Sequence, residues 1–85
     1  MKVQVKVHGS NTDYFFAFIE VSDRKTKGDL VVVRDVIIPI ISSAGRLSNY
    51  YSQGQVLTLE QKNGDILDVY FIEKDKSNYV FSTHP

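Results

Sequence analysis

The sequence predicts a small, mainly β barrel of five or six strands, with one short helix between strands three and four. Three observations lead to this fold class. Apolar residues alternate with polar ones over several short stretches, as they do in half-buried strands. Single glycines and polar clusters separate these stretches, as turns do. A chain of only 85 residues with this many strands removes its exposed sheet edges most simply by closing into a barrel.

The clearest element is a β-hairpin over residues 55–73, QVLTLEQKNGDILDVYFIE. A two-residue turn at Asn63-Gly64 would set Leu59 opposite Asp68. A three-residue loop with Gly64 in the left-handed region sets Leu59 opposite Leu67 instead, and we prefer it because a one-residue slip would bury the acidic side chains. The preferred register gathers one apolar face, made of Leu57, Leu59, Leu67, Val69 and Phe71.

Two strands are predicted before residue 22. Strand one covers residues 2–8, where valines at 3, 5 and 7 alternate with polar side chains. Strand two covers residues 14–21, YFFAFIEV, and is apolar on both faces. Its inward face is predicted to be Phe15, Ala17, Ile19 and Val21, and its outward face Tyr14, Phe16, Phe18 and Glu20. Residues 22–29 are interpreted as a polar loop.

Strand three is predicted to run from Leu30 to about Ile38. Its end is marked by Pro39, since proline cannot donate a ladder hydrogen bond. The adjacent charges of Arg34 and Asp35 indicate either a bulge or a change of the buried face at that point.

The segment 42–54, SSAGRLSNYYSQG, breaks the two-residue period and predicts the short helix. Either Ser42 or Ser43 can cap its start, and Gly54 suits its end. A last short strand, Tyr79–Ser82, is predicted as an appendage to the barrel.

Composition indicates one domain over residues 1–85 in a reducing, cytoplasmic setting, because the chain has no cysteine and begins directly with a strand pattern. No stretch is long and apolar enough to predict a membrane span. Ten basic and ten acidic residues cancel, but residues 1–46 hold seven basic and five acidic side chains. Any anion-binding surface is therefore expected in that half.

No catalytic, metal or cofactor motif is evident. The two histidines, His8 and His84, lie far apart in the chain and lack ligand spacing. The five glycines occur singly, so no phosphate-cradling loop is indicated, and Asp65 and Asp68 fit a solvated turn and strand. We therefore expect a non-catalytic protein without a cofactor.

The candidate binding residues combine outward aromatic rings with basic side chains. Bases of single-stranded nucleic acid stack on aromatic rings, while lysine and arginine neutralise phosphates. The alternative is that these rings form a second buried face, covered by the helix or by a partner subunit, and that residues 24–27 are only a solvated hairpin tip. The proposed nucleic-acid-binding set is Lys2, Lys6, Tyr14, Phe16, Phe18, Arg24, Lys25, Lys27 and Arg34.

The order of these elements resembles that of the bacterial single-stranded-DNA-binding and primosomal proteins, which have an oligonucleotide-binding (OB) barrel. An aromatic strand enters a basic arm, a strand of the type DLVVVRDVIIPI follows, and SAGRLSNYYSQGQVLTLEQ holds the passage from helix to strand four. The resemblance implies an OB-like fold and single-stranded DNA binding in replication, with a possible homodimer. The competing hypothesis is a protein-interaction module, such as a phage or plasmid inhibitor of a host protein.

Overall fold

The computed structural model describes residues 1–43, 47 and 55–84, and these form a closed antiparallel barrel. The predicted mainly β fold, with one short helix between strands three and four, is confirmed. The elements in chain order are β1 (Lys2–Val7), β2 (Phe15–Thr26), β3 (Asp29–Pro39), α1 (Ile40–Ser43), β4 (Val56–Gln61), β5 (Ile66–Lys74) and β6 (Asn78–Ser82).

The strands follow the order β1-β2-β3-β6-β5-β4 around the barrel, and β4 returns to pair with β1. Their inward side chains alternate along each strand and meet in one apolar core. At its centre Phe81 and Phe71 pack edge to face, with ring centroids 5.6 Å apart. The core consists of Val5, Phe15, Ala17, Ile19, Val36, Ile38, Leu47, Leu57, Leu59, Val69, Phe71, Tyr79 and Phe81.

The β4–β5 hairpin has the predicted three-residue register. Leu59 lies opposite Leu67, and the loop closes with the Gln61 N–H donating to the Asp65 carbonyl at 2.8 Å. Gly64 has a φ of +99°, and this backbone conformation is unfavourable for any residue that has a Cβ atom. The Asn63 Oδ1 accepts a hydrogen bond from the Asp65 N–H at 3.0 Å, which supports the loop from inside.

The predicted loop over residues 22–29 is wrong, because β2 and β3 remain paired as far as Thr26 and Asp29. Only Lys27 and Gly28 form the turn, and both have positive φ, as a tight hairpin turn requires. The prediction that Val21 points into the barrel is also wrong, since its side chain is 64% exposed. Its neighbour strand β1 ends its pairing near Phe18, so no barrel interior exists beside Val21.

The Arg34-Asp35 pair marks a change of buried face without a bulge. Pairing of β3 with β2 continues without interruption through these residues, yet Val33 and Val36 are both fully buried. Residues three apart on a strand point to opposite faces, so Val36 enters the barrel while Val33 is buried on the other side. Of the two alternatives offered by the sequence, the structure shows the second.

Two further predictions need correction. The helix begins at Ile40 rather than after a serine cap, and Ser42 and Ser43 instead donate to the carbonyls of Pro39 and Ile40. The rest of the predicted helix, apart from the buried Leu47, lies outside the described residues. The last strand is not an appendage, because β6 pairs with both β3 and β5 and closes the barrel.

Among the described residues, no helix is long and apolar enough to span a membrane.

Candidate nucleic-acid interface

Strand β2 places two phenylalanine rings on the outer surface of the barrel. Because Phe15, Ala17 and Ile19 are buried inside, the alternating Phe16 and Phe18 face outward and are 39% and 37% exposed. Their rings meet edge to face, with centroids 6.5 Å apart. Their cross-strand neighbours on β1 are polar: Gln4 lies opposite Phe16, and Lys2 lies opposite Phe18.

Lysine ammonium groups lie over the rings of Phe16 and of the half-buried Tyr14. The Lys2 Nζ is 4.4 Å from the centroid of Phe16, while the Lys6 and Lys62 Nζ atoms are 5.3 Å and 6.0 Å from that of Tyr14. Such contacts attract the cation to the negative face of the ring. The surface formed by these side chains is called the aromatic–lysine face: Lys2, Lys6, Tyr14, Phe16, Phe18 and Lys62.

One carboxylate reduces the positive charge of this face. Glu60 accepts hydrogen bonds from His8 Nδ1 and from the Tyr14 hydroxyl, both at 3.1 Å, and it lies 3.9 Å from the Lys6 ammonium. The hydrogen bonds from His8 and then Tyr14 hold the pKa of Glu60 below its usual value. The hydrogen bond that the Tyr14 hydroxyl donates to Glu60 also raises the pKa of Tyr14. Three lysines against one glutamate leave the aromatic–lysine face positively charged.

A groove of about 620 Å³ opens between the β1–β2 surface and the β4–β5 loop. This volume lies within the range of small-ligand sites, roughly 300–1,000 Å³. Its walls offer rings, cations and two exposed amides, those of Gln4 and Asn63, so it can hold a stacked base and a neighbouring phosphate. The lining residues are Lys2, Val3, Gln4, Tyr14, Phe15, Phe16, Gln61, Lys62 and Asn63.

The residues predicted from the sequence did not include Lys62, which lies on the aromatic–lysine face only because the barrel closes. The Lys62 N–H donates to the Gln4 carbonyl at 2.9 Å, and this bond brings the β4–β5 loop beside Tyr14. A lysine next to an Asn-Gly turn is an ordinary surface residue in the sequence. The predicted hairpin over residues 55–73 contained no signal that its turn would lie against β1.

The other predicted cations do not join the aromatic–lysine face. Arg24 lies eight residues along β2 from Phe16, which is about 26 Å of strand, and it pairs with Asp35 at 3.7 Å. Lys25 and Arg34 share the opposite face of the β2–β3 ribbon, and Lys27 occupies its turn. The predicted set is thus divided between the barrel and the two faces and turn of the ribbon.

Within residues 1–43, 47 and 55–84, no three side chains of His, Cys, Asp or Glu converge as metal ligands would. Comparison of the whole chain with family models, curated proteins and solved structures gave no significant match.

Proposed function

We propose that this protein binds single-stranded DNA through the aromatic–lysine face, without catalysis and with little preference for sequence. The observation that carries the proposal is the pairing of partly exposed rings with lysine ammonium groups at Phe16 and Tyr14. Every base has a flat apolar face and every nucleotide a phosphate, so this combination suits any single strand.

The lysines need not block the rings they cover. An exposed cation–π contact stabilises by about 0.5–1 kcal/mol, whereas stacking of a base contributes about 1–3 kcal/mol. A base that stacks on Phe16 therefore displaces the Lys2 ammonium, which then neutralises an adjacent phosphate. The bound state therefore replaces the cation–π contact by stacking of the base on the ring and by an ion pair between the lysine and the phosphate.

A second candidate function is a protein-interaction module that uses the same face. The observation that favours it is the position of Glu60, which neutralises Lys6 and leaves fewer cations for phosphates than the sequence suggested. Aromatic rings flanked by a few charges also resemble the centre of a protein interface. The two candidates differ in their response to salt.

The test is the affinity for a labelled oligo-dT strand, measured by fluorescence anisotropy at several salt concentrations. Two or three phosphate contacts from the lysines of this face, at ~0.7 per contact, give an expected log–log slope of roughly −1.4 to −2.1. A flat response, or no binding at about 50 mM salt, would reject DNA binding and favour a protein partner.

Two variants locate the contact. Lys62→Gln should weaken binding and reduce the magnitude of the salt slope by ~0.7. Lys76→Gln, in the exposed β5–β6 turn, removes the same charge away from the face and should leave both quantities unchanged. Equal effects of the two variants would show that only net charge matters, which contradicts the proposed site.

A further inference from the structure

Gln61 is a polar residue at a position of β4 that faces the core. It follows the buried Leu57 and Leu59 at the two-residue period, and it is only 8% exposed. On the neighbouring strand it lies opposite the buried Val5. Burial of an amide costs stability unless the amide forms hydrogen bonds. The fold alone therefore does not account for a glutamine at this position.

The Gln61 amide has no hydrogen-bond partner among the described residues. The other two buried polar side chains in this part of the chain have one: the Ser43 hydroxyl donates to the Ile40 carbonyl at 3.0 Å, and the Ser82 hydroxyl accepts from the His84 N–H at 3.2 Å. Across the described ranges, no fully enclosed side-chain oxygen or nitrogen lacks a partner, so the Gln61 amide must reach solvent. Since Gln61 lines the groove beside the aromatic–lysine face, its amide opens into that groove.

The groove surrounds this amide with features that a nucleotide can use. Phe15 and Phe16 line it together with Gln61. Mostly apolar walls with a few polar groups are typical of small-ligand sites, and a hydrogen bond is stronger where little water competes. Lys2 and Lys62 add positive charge to the same walls. The groove therefore suits a ligand with a flat apolar face, a hydrogen-bonding edge and a phosphate.

We propose that the groove holds one base of a bound single strand, and that the Gln61 amide bonds the Watson–Crick edge of this base. The inference rests on the proposed binding of single-stranded DNA. A carboxamide offers an oxygen acceptor beside an NH₂ donor, and each of the four bases has a donor next to an acceptor on that edge. The amide can turn over to match either order. Gln61 thus detects that a base is present rather than which base it is, in agreement with little preference for sequence.

The test compares oligo-dT with a strand of equal length in which difluorotoluene replaces every thymine. This isostere keeps the shape and flat face of thymine but has no strong hydrogen-bonding groups. The parent chain should bind oligo-dT about tenfold more tightly than the isostere strand. Gln61→Met keeps an unbranched side chain and removes the amide, so it should bind the two strands equally.

The outcomes separate this inference from the proposed function. If the parent chain binds oligo-dT but does not prefer it to the isostere strand, or if Gln61→Met keeps the preference, the role of Gln61 is overturned and DNA binding stands. If the parent chain does not bind oligo-dT at about 50 mM salt, both are overturned. Gln55→Met is the matched control, because it makes the same change outside the groove lining, and it should keep the preference of the parent chain.

Two further measurements distinguish recognition from a structural role. The Tm of Gln61→Met should equal or exceed that of the parent chain, since an apolar side chain replaces a buried amide without a partner. A lower Tm with an equal loss of affinity for both strands would show a structural role only and overturn the inference. The side-chain amide NMR signals of Gln61 in the parent chain should shift farther with oligo-dT than with the isostere strand, and equal shifts also overturn it.

Discussion

Individual side chains on β2 show how far residue-scale reasoning reaches. The alternation that buries Phe15 and Ala17 also turns Phe16 and Phe18 outward, and both statements follow from the two-residue period. The prediction from this period was wrong at Val21, because alternation gives the direction of a side chain but does not show where the barrel interior ends.

Phe16→Ala should separate binding from stability. A ring that is 39% exposed contributes little to the core, so the free energy of unfolding should fall only slightly. Affinity for oligo-dT should fall by about 1–3 kcal/mol through lost stacking. Phe81→Ala is the contrast, since full burial predicts a loss of about 3–5 kcal/mol in stability. A comparable loss of stability in Phe16→Ala would show that Phe16 is a core residue.

Gly64→Val should destabilise the β4–β5 hairpin by about 1–2 kcal/mol, because a β-branched residue resists a φ of +99°. Asn63→Gly should destabilise the hairpin slightly, since Asn63 does not have a positive φ and its side chain accepts a hydrogen bond from the Asp65 N–H. Chemical denaturation of both variants measures the difference. Stabilisation by Asn63→Gly would contradict the three-residue loop, because only the two-residue loop needs positive φ at that position.

Glu60→Gln should alter stability in a pH-dependent way. The pKa of Glu60 is lowered in the folded state by its hydrogen bonds from His8 and Tyr14, so their contribution is present above the ordinary pKa of 4.5 and lost as pH falls through the folded pKa. The parent chain should exceed the variant in stability near neutral pH, and thermal melts should converge in acid. Convergence at high pH instead would contradict the assignment. The variant should also bind oligo-dT more tightly, because one negative charge is removed.

At the element scale, the β2–β3 hairpin differs most from its prediction. Polar residues over 22–29 favoured a loop, but the turn chemistry of Lys27-Gly28 and the β-branched run at residues 31–33 favour a continuous ribbon. The ribbon therefore places Arg24, Lys25 and Lys27 far from the aromatic rings with which they were predicted to act. Whether they contact DNA must be tested separately from the aromatic–lysine face.

The double variant Lys25→Gln, Lys27→Gln tests that question. If the ribbon contacts a phosphate backbone, affinity for a long oligo-dT should fall and the magnitude of the salt slope should drop by roughly 1.4. Affinity for an oligo-dT that covers only the aromatic–lysine face should stay unchanged. The matched control is the double variant Lys2→Gln, Lys62→Gln, which should weaken binding to both the long and the short oligo-dT. Loss of binding to the short strand in the ribbon variant would show that the two surfaces are not separate.

At the scale of the whole molecule, closure depends on the last strand. β6 lies between β3 and β5 and supplies Tyr79 and Phe81 to the core. Without β6 two sheet edges and the Phe71 ring would be exposed, and a small barrel has little stability to spare.

A chain that ends at Lys74 should therefore fail to unfold cooperatively, as measured by near-ultraviolet circular dichroism during heating. Ser77→Ala is a mild control in the β5–β6 turn, because it keeps the Ser77 N–H that donates to Asp75. Cooperative melting of the shortened chain would show that β6 is an appendage after all.

Local patterns in the sequence determined most of the strand residues, the inward side of β1 and of β2 as far as Ile19, and the register of the β4–β5 hairpin. These features depend on side-chain alternation and turn geometry, which act between residues close in the chain. Only the tertiary structure decided that Lys62 would reach Tyr14, that Glu60 would neutralise Lys6, and that β6 would close the barrel. Those contacts join strands far apart in sequence, and they exist because closure brings distant edges together whatever their local pattern.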